Sequence, residues 1–283
     1  MSPLTLTTVV ADFTNLPPLP KVVMELMDYL QGDDVDAERV MQMLSQDQVL
    51  VAKALRIANS SFYGLPRKVA TIHDAIVVLG LRAVNTLVTT AAVTSLFHSM
   101  HQSLETAGYD QRSSWLHSIG TAVCARALGR EVDVNPESAF TAGLLHDIGY
   151  LIVAARFPEH FSRIVAYRNQ HDCLMIEAEH DVLGFNHAQI GAALALRWNF
   201  AAEIHDGIAW HHRPEEQTAQ SLAGVVHLAD VMAHVLNLAE ESKPLSPRLS
   251  DVAWNRLGLG WHDFKRLLRE VDGQFKEAEL LFH

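Results

Sequence analysis

Cysteine is scarce in this chain: two residues in 283, Cys124 and Cys173, far apart and without CxxC spacing. They read as reduced residues of a cytosolic protein rather than as a disulfide framework. Basic charge is also in short supply, with 22 Lys and Arg against 33 Asp and Glu and a net charge of −11. A generic nucleic-acid binder carries a basic excess, so no nucleic-acid partner is expected. The few local cations, Arg56 and the Arg67-Lys68 pair, read as an ordinary solvated face. The start, "MSPLTLTTVVADF", lacks a basic region followed by an apolar core, so no secretory signal is expected. Uncharged apolar runs also fall short of the ~20 residues that a bilayer span requires. Residues 75–97 come nearest, but Gly80, Arg82 and Asn85 interrupt them, and two buried helices meeting at Leu79-Gly80 are predicted. The expectation is a cytoplasmic protein with no membrane attachment.

Strand-period runs are missing as well, and apolar positions recur instead at three and four, which predicts an all-α fold. Hydrophobic residues make up 49% and charged ones 19%, a globular composition with enough chain for a sizeable core. Val22, Val23, Leu26, Met27 and Leu30 share one helix face after a Pro-rich entry. The acidic "DDVD" suits the N-terminus of the next helix through its dipole. A third helix stops at Asn59-Ser60-Ser61, ahead of Gly64 and Pro66, and two more complete a block to about residue 98. After the polar stretch 98–113, helices are predicted near 110–129, 138–155, 158–170, 186–197, 201–212 and 220–240. A turn-rich break and one or two amphipathic tail helices follow. The expected division is an N-terminal helical subdomain 1–105, a second subdomain 106–242 and a helical tail 243–283. The tail could pack back on the core or supply a homodimer contact.

Histidine, with sixteen copies, is plentiful, but only some sit in apolar helices beside another polar group. His146 and Asp147 interrupt the apolar run "LLHDIGYLIV", and His117 lies in "WLHSIGTAVCARAL". His187 follows Asn186 at a helix start, His211 and His212 end "EIHDGIAWHH", and Asp230 lies in "VVHLADVMAHVL". Singly, each has an ordinary role open to it. His117 could be hydrogen-bonded core, His187 a cap with Asn186, Asp230 an ion-pair partner, and His211-His212 a helix end favoured by its dipole. Together, seven buried polar groups need seven partners. Divalent metals accept imidazole nitrogen and carboxylate oxygen, and a bridging Asp commonly joins two of them.

The order H…HD…H…HH…D resembles the HD superfamily of helical metal-dependent phosphohydrolases. The wider text, from "LPPLPKVVMELMDYL" through "LSQDQVLVAKALRIANSSFYG", "AFTAGLLHDIGYLIV" and "EHDVLGFNHAQIGAALALRWNF" to "IAWHHRPE", resembles the HDOD family of bacterial signalling proteins. That resemblance implies an N-terminal helical subdomain packed on an HD-like one, and action mostly through protein partners. Many family members have lost metal ligands. Here His117, His146, Asp147, His187, His211, His212 and Asp230 match the set, which implies one or two divalent ions (Fe, Mn, Zn, Ni or Mg). The cyclic-di-GMP phosphodiesterase subgroup has a lysine where this chain has Tyr150, and a Gly-Tyr-Pro element where it reads "HHRPEEQT". Ser113 stands where an acidic ligand one turn before His117 would be. Phosphoryl-transfer sites supply positive charge, and Arg156 and Arg213 are the candidates to replace the lysine. The resemblance therefore implies a signalling protein that works through a protein partner and keeps a metal site. The alternative is a metal-dependent phosphohydrolase or phosphodiesterase in which Asp147 is the bridging ligand.

Overall fold

Short polar side chains set most helix starts in the computed structural model, which describes residues 3–32, 34–60, 63–65, 67–217, 221–239 and 245–279. Helix α1 (Leu6–Asp12) opens on Thr5, α2 (Lys21–Tyr29) follows the Pro-rich entry, and α3 (Ala37–Leu44) and α4 (Gln48–Ala58) open on Asp36 and Asp47. In each side-chain cap, an oxygen accepts from an amide that the first turn leaves unpaired. A capping box of Thr71 and Asp74 begins α5 (Ile72–Leu79). Gly80, at φ 85°, ends it in a conformation that a side chain would strain, and α6 (Leu81–Ser99) starts afresh. The polar stretch that follows holds a short helix, α7 (His101–Thr106), with Leu104 buried.

The second half continues with α8 (Gln111–Glu131), α9 (Pro136–Leu145), α10 (Ile148–Arg156), α11 (Pro158–His171) and α12 (Met175–Leu183). Then come α13 (His187–Arg197), α14 (Ala202–Trp210), α15 (Leu222–Val235), α16 (Asp251–Leu257) and α17 (Trp261–Glu279). The described residues are helical with no strand among them, as the periodicity predicts. Three details differ from expectation. The helix expected over 138–155 is two helices, broken at His146-Asp147. Helices α1, α7 and α12 were not expected, because each is short, with too few turns to show a periodic apolar face. Ser61 and Pro66 of the expected helix stop, and residues 240–244 of the expected break, lie outside the described residues.

Packing runs through two long helices. On α6 sit α2, α4 and α5, and α6 in turn packs on α9. Helix α8 packs against α9, α15 and α17, while α13 bridges α10 and α14. One buried apolar cluster therefore extends from Leu4 to Phe275. Near the junction of the two halves, the buried Arg126 of α8 pairs with Glu137 of α9, both in the second half. Its guanidinium carbon stands 4.7 Å from the centre of the Tyr63 ring. Residues 136–156 form the one described stretch long and apolar enough to cross a membrane, and 78% of its apolar 18-residue window is buried inside the fold.

Candidate metal centre

The break between α9 and α10 is what presents the His-Asp pair. His146 is the C-cap of α9 at φ −54°, and Asp147 is the N-cap of α10 at φ −101°. Aspartate at an N-cap ordinarily accepts from the first turn, yet the Asp147 carboxylate makes no capping hydrogen bond. It turns inward instead. Gly149 then lets α10 lie against the start of α13, since a Cβ there would come 2.1 Å from the His187 carbonyl oxygen. His187 is the first residue of α13, oriented by the Asn186–Gln189 capping box, and His211 caps the C-terminus of α14. Only His117 and Asp230 project from helix interiors, in α8 and α15.

All seven residues singled out in the sequence converge. The two carboxylate oxygens of Asp147 face different groups. Oδ2 lies 3.3 Å from His146 Nε2 and 3.7 Å from His117 Nε2. Oδ1 lies 3.1 Å from His187 Nε2 and 3.8 Å from His211 Nε2. On the first side, Asp230 Oδ1 is 3.1 Å from His117 Nε2 and 3.9 Å from His146 Nε2. On the second, His212 Nε2 is 2.9 Å from His187 Nε2. His146, His187 and His211 have no exposed surface, and Asp230 is nearly as buried.

The hydrogen bonds at the outer nitrogens show what these rings want. His146 Nδ1 is 2.8 Å from the Gly143 carbonyl oxygen, and His211 Nδ1 is 2.8 Å from that of Ile208. His187 Nδ1 is 2.7 Å from Glu179 Oε2. Carbonyl and carboxylate oxygens only accept, so each Nδ1 carries its hydrogen and each neutral ring turns a lone pair inward at Nε2. Lone pairs then confront one another at His187 and His211, 3.4 Å apart, and the inward Nε2 of His146 stands 3.2 Å from His117 Nε2. Such a set requires a cation among its members, either protons or a metal. With protons alone the rings divide unequally. Burial opposes charge on His187, but Glu179 and Asp147 overcome it and push its pKa up to about 10. Burial and repulsion from His187 drag His212 down to about 3. Burial, His212 and His146 hold His211 well below the usual imidazole range. Burial would raise Asp147 and Asp230, yet the neighbouring imidazoles hold both well below the carboxylate range. Ionised carboxylates among lone-pair nitrogens fit a divalent cation, with two donor groups on opposite sides of Asp147.

Four residues around the centre escaped the sequence reading. Glu179 of α12 has no exposed surface, and its Oε2 also accepts the His187 backbone N–H at 3.0 Å. A carboxylate behind a metal-binding imidazole fixes its tautomer and raises its basicity. His227 Nδ1 donates to the His211 carbonyl oxygen at 2.8 Å, while its Nε2 accepts from the Ser250 amide at 3.0 Å. His234 lies one turn beyond Asp230, with Nε2 3.3 Å from Oδ1; the D-x-x-x-H spacing on an apolar helix was its signal. Arg168 was the fourth. A cavity of about 730 Å³ opens over the cluster and includes Arg112, Arg168 and Asn169 in its wall. The cations expected from sequence are elsewhere. Arg156 donates to Asp12 Oδ2 at 2.7 Å, and Arg213 lies 3.7 Å from Glu216, so neither lines this cavity.

Tyr150 has a definite place. Its ring stacks on His187 with centroids 3.9 Å apart and an interplanar angle of 24°. Burial, with the charges of Glu179 and Asp147, holds its phenol protonated well above the ordinary range. It covers one face of the imidazole and contributes no charge. Ser113 makes no ligand either, since its hydroxyl donates to the Ala239 carbonyl oxygen at 3.1 Å.

An all-helical chain whose histidines and aspartates meet at helix ends beneath an open cavity defines an HD-like helical protein. The HDOD domain profile matches residues 16–214, and the chain belongs to the HDOD family. Among solved structures, an HDOD domain protein of Geobacter sulfurreducens superposes with a TM-score of 0.78 at 27% identity, covering 98% of this chain and 96% of that one. A Shewanella amazonensis SB2B protein named "Putative phosphohydrolase" gives 0.74 at 27% identity, covering 97% and 98%. An uncharacterized protein of Treponema pallidum is 27% identical over 211 residues, 71% of this chain and 39% of that relative. The chain thus spans about two fifths of the length of that relative.

Proposed function

We propose that this HDOD protein is a signalling protein built around an HD-type centre for two divalent metal ions. His117, His146, Asp230 and Asp147 Oδ2 hold one ion, and Asp147 Oδ1, His187, His211 and His212 hold the other. The carrying observation is that the two oxygens of Asp147 face separate imidazole groups, with His146 and His187 at 3.3 and 3.1 Å. Imidazole-rich donors favour Mn, Fe, Ni or Zn over Mg. Such ions, when bound, supply Lewis-acid chemistry to a phosphoryl group. Glu179 orients His187, His227 fixes the backbone of His211, and Tyr150 keeps water from one face of His187. Signalling through a protein partner is what the HDOD resemblance implies.

Elemental analysis of protein purified without chelators tests the centre. Two ions per chain are expected, falling below one in Asp147→Asn. A wild-type protein that stays metal-free after incubation with Mn, Fe or Zn sinks the reading.

A second reading, hydrolysis of a small phosphoester at this centre, is favoured by one observation. The cavity over the cluster carries Arg168, whose Nε is buried without a hydrogen-bond partner, and Arg112 beside it. Guanidinium groups suit phosphoryl oxygens. A screen of cyclic dinucleotides and alarmones with metal-loaded protein separates the readings. Turnover lost in Asp147→Asn and weakened in Arg168→Ala establishes the enzyme; binding or silence without turnover leaves the regulatory role.

A further inference from the structure

Donors from both sides of the centre reach the cavity. His146, His187 and His211 are sealed in the interior, whereas His117, Asp230 and His234 form part of the cavity wall together with Asp147 and His212. His234 Nε2 is 3.3 Å from Asp230 Oδ1, the same oxygen that stands 3.1 Å from His117 Nε2. The His117 and His234 rings lie with centroids 4.6 Å apart. Ligand atoms of His117, Asp230 and His234 all lie within 4.8 Å of one another. Donors that share one ion at about 2.0–2.2 Å are separated by roughly such distances.

We propose that His234 is itself a metal ligand, joining His117 and Asp230 on their side of the centre. The inference rests on the two-ion reading above and adds a donor that neither the histidine pattern nor the HD-type set contains. Its consequence is inequality between the ions. The His117–Asp230 side gains an extra nitrogen and is the more fully occupied. The Asp147–His212 side, where Tyr150 stacks on His187, would have fewer donors and so more room for an incoming anionic ligand. An acidic side chain alone at Asp230 would be satisfied by a hydrogen bond from His234, so the rival role is positioning, and the test separates the two.

Metal content and Co(II) visible spectra of the full chain are measured for wild type, His234→Ala and His234→Gln. Glutamine keeps an N–H donor towards Asp230 but is a poor ligand. The expected result is that both variants retain one ion, bind the second more than a hundredfold more weakly, beyond the 10–100-fold that loss of an outer partner alone typically costs, and shift the cobalt bands. Added imidazole, entering from the cavity, should restore the second ion in His234→Ala. Wild-type stoichiometry, affinity and spectrum in His234→Gln overturn the proposal and leave the two-ion centre standing. A metal-free wild type overturns both. Thermal melts of the metal-free proteins identify a variant that merely fails to fold.

Discussion

Replacing Glu179 by glutamine changes one atom in the interior and removes the charge behind His187. Oε2 of Glu179 accepts two hydrogen bonds from His187, from Nδ1 at 2.7 Å and from the backbone amide at 3.0 Å. A hydrogen bond to a charged group contributes about 1.5–3 kcal/mol against about 0.5–1.5 for a neutral one, so the loss is on the order of 1.4 kcal/mol. That is about tenfold in metal affinity. A second effect runs the other way. The metal must displace a proton from His187, whose pKa Glu179 and Asp147 push up to about 10 against the cost of burial. Wild-type apparent affinity should therefore rise with pH throughout the range below about 10, by at most tenfold per unit for this one proton. In Glu179→Gln the proton is held less tightly, so the rise ends at lower pH. The ratio of wild-type to variant affinity should be near one at pH 6, only about two at pH 9, and approach ten above pH 10, where His187 has lost its proton in both. Competition titration against a chelating dye, in parallel from pH 6 to above pH 10, measures it. A folded variant whose affinity matches wild type at the top of that range would refute the claim that Glu179 tunes His187.

Two further predictions concern packing. Gly149→Ala would place a methyl group 2.1 Å from the His187 carbonyl oxygen and 2.7 Å from its Cα, backbone atoms that cannot step aside alone. A loss of about 3 kcal/mol, the upper end for overpacking, is expected in urea unfolding, and an unchanged midpoint would show that α10 and α13 are not pressed together there. At the junction of the halves, a double-mutant cycle of Tyr63→Leu and Arg126→Met should give a coupling of about 1–2 kcal/mol, the range for a desolvated cation over a ring. Independence within about 0.3 kcal/mol would mean that the ring and the guanidinium touch without consequence.

The chain announces its helices and its histidines but not the second layer around them. His117, His146, Asp147, His187, His211, His212 and Asp230 were legible because buried polar residues in apolar text demand partners. The helix break at His146-Asp147 was not, since "LLHDIGYLIV" has no glycine–proline stop and keeps helical periodicity across the pair. Glu179 sits in "MIEAEHDVL", where no helix was expected, and only the packing of α12 against α11 and the start of α13 buries it. The cavity cations failed for a related reason. Arg156 and Arg213 are close in sequence to the motif, but direction decides, and Arg168 reaches the cavity from α11. The seven residues that converge carry their own chemical signal in apolar text and match the family pattern. Their neighbours carry none, because arginine and glutamate are common on any helix surface.

The positions of His146, Asp147, His187 and His211 carry a mechanical consequence. These four occupy the end of α9, the start of α10, the start of α13 and the end of α14. Helix ends are where backbone hydrogen bonds run out and where helices first unwind. Ions held there would act as knots tying four loose rope ends, and their removal would free the ends before it disturbed the strands of rope between them. Occupancy of the centre would then be felt as the stiffness of these turns, with the apolar core left as it was.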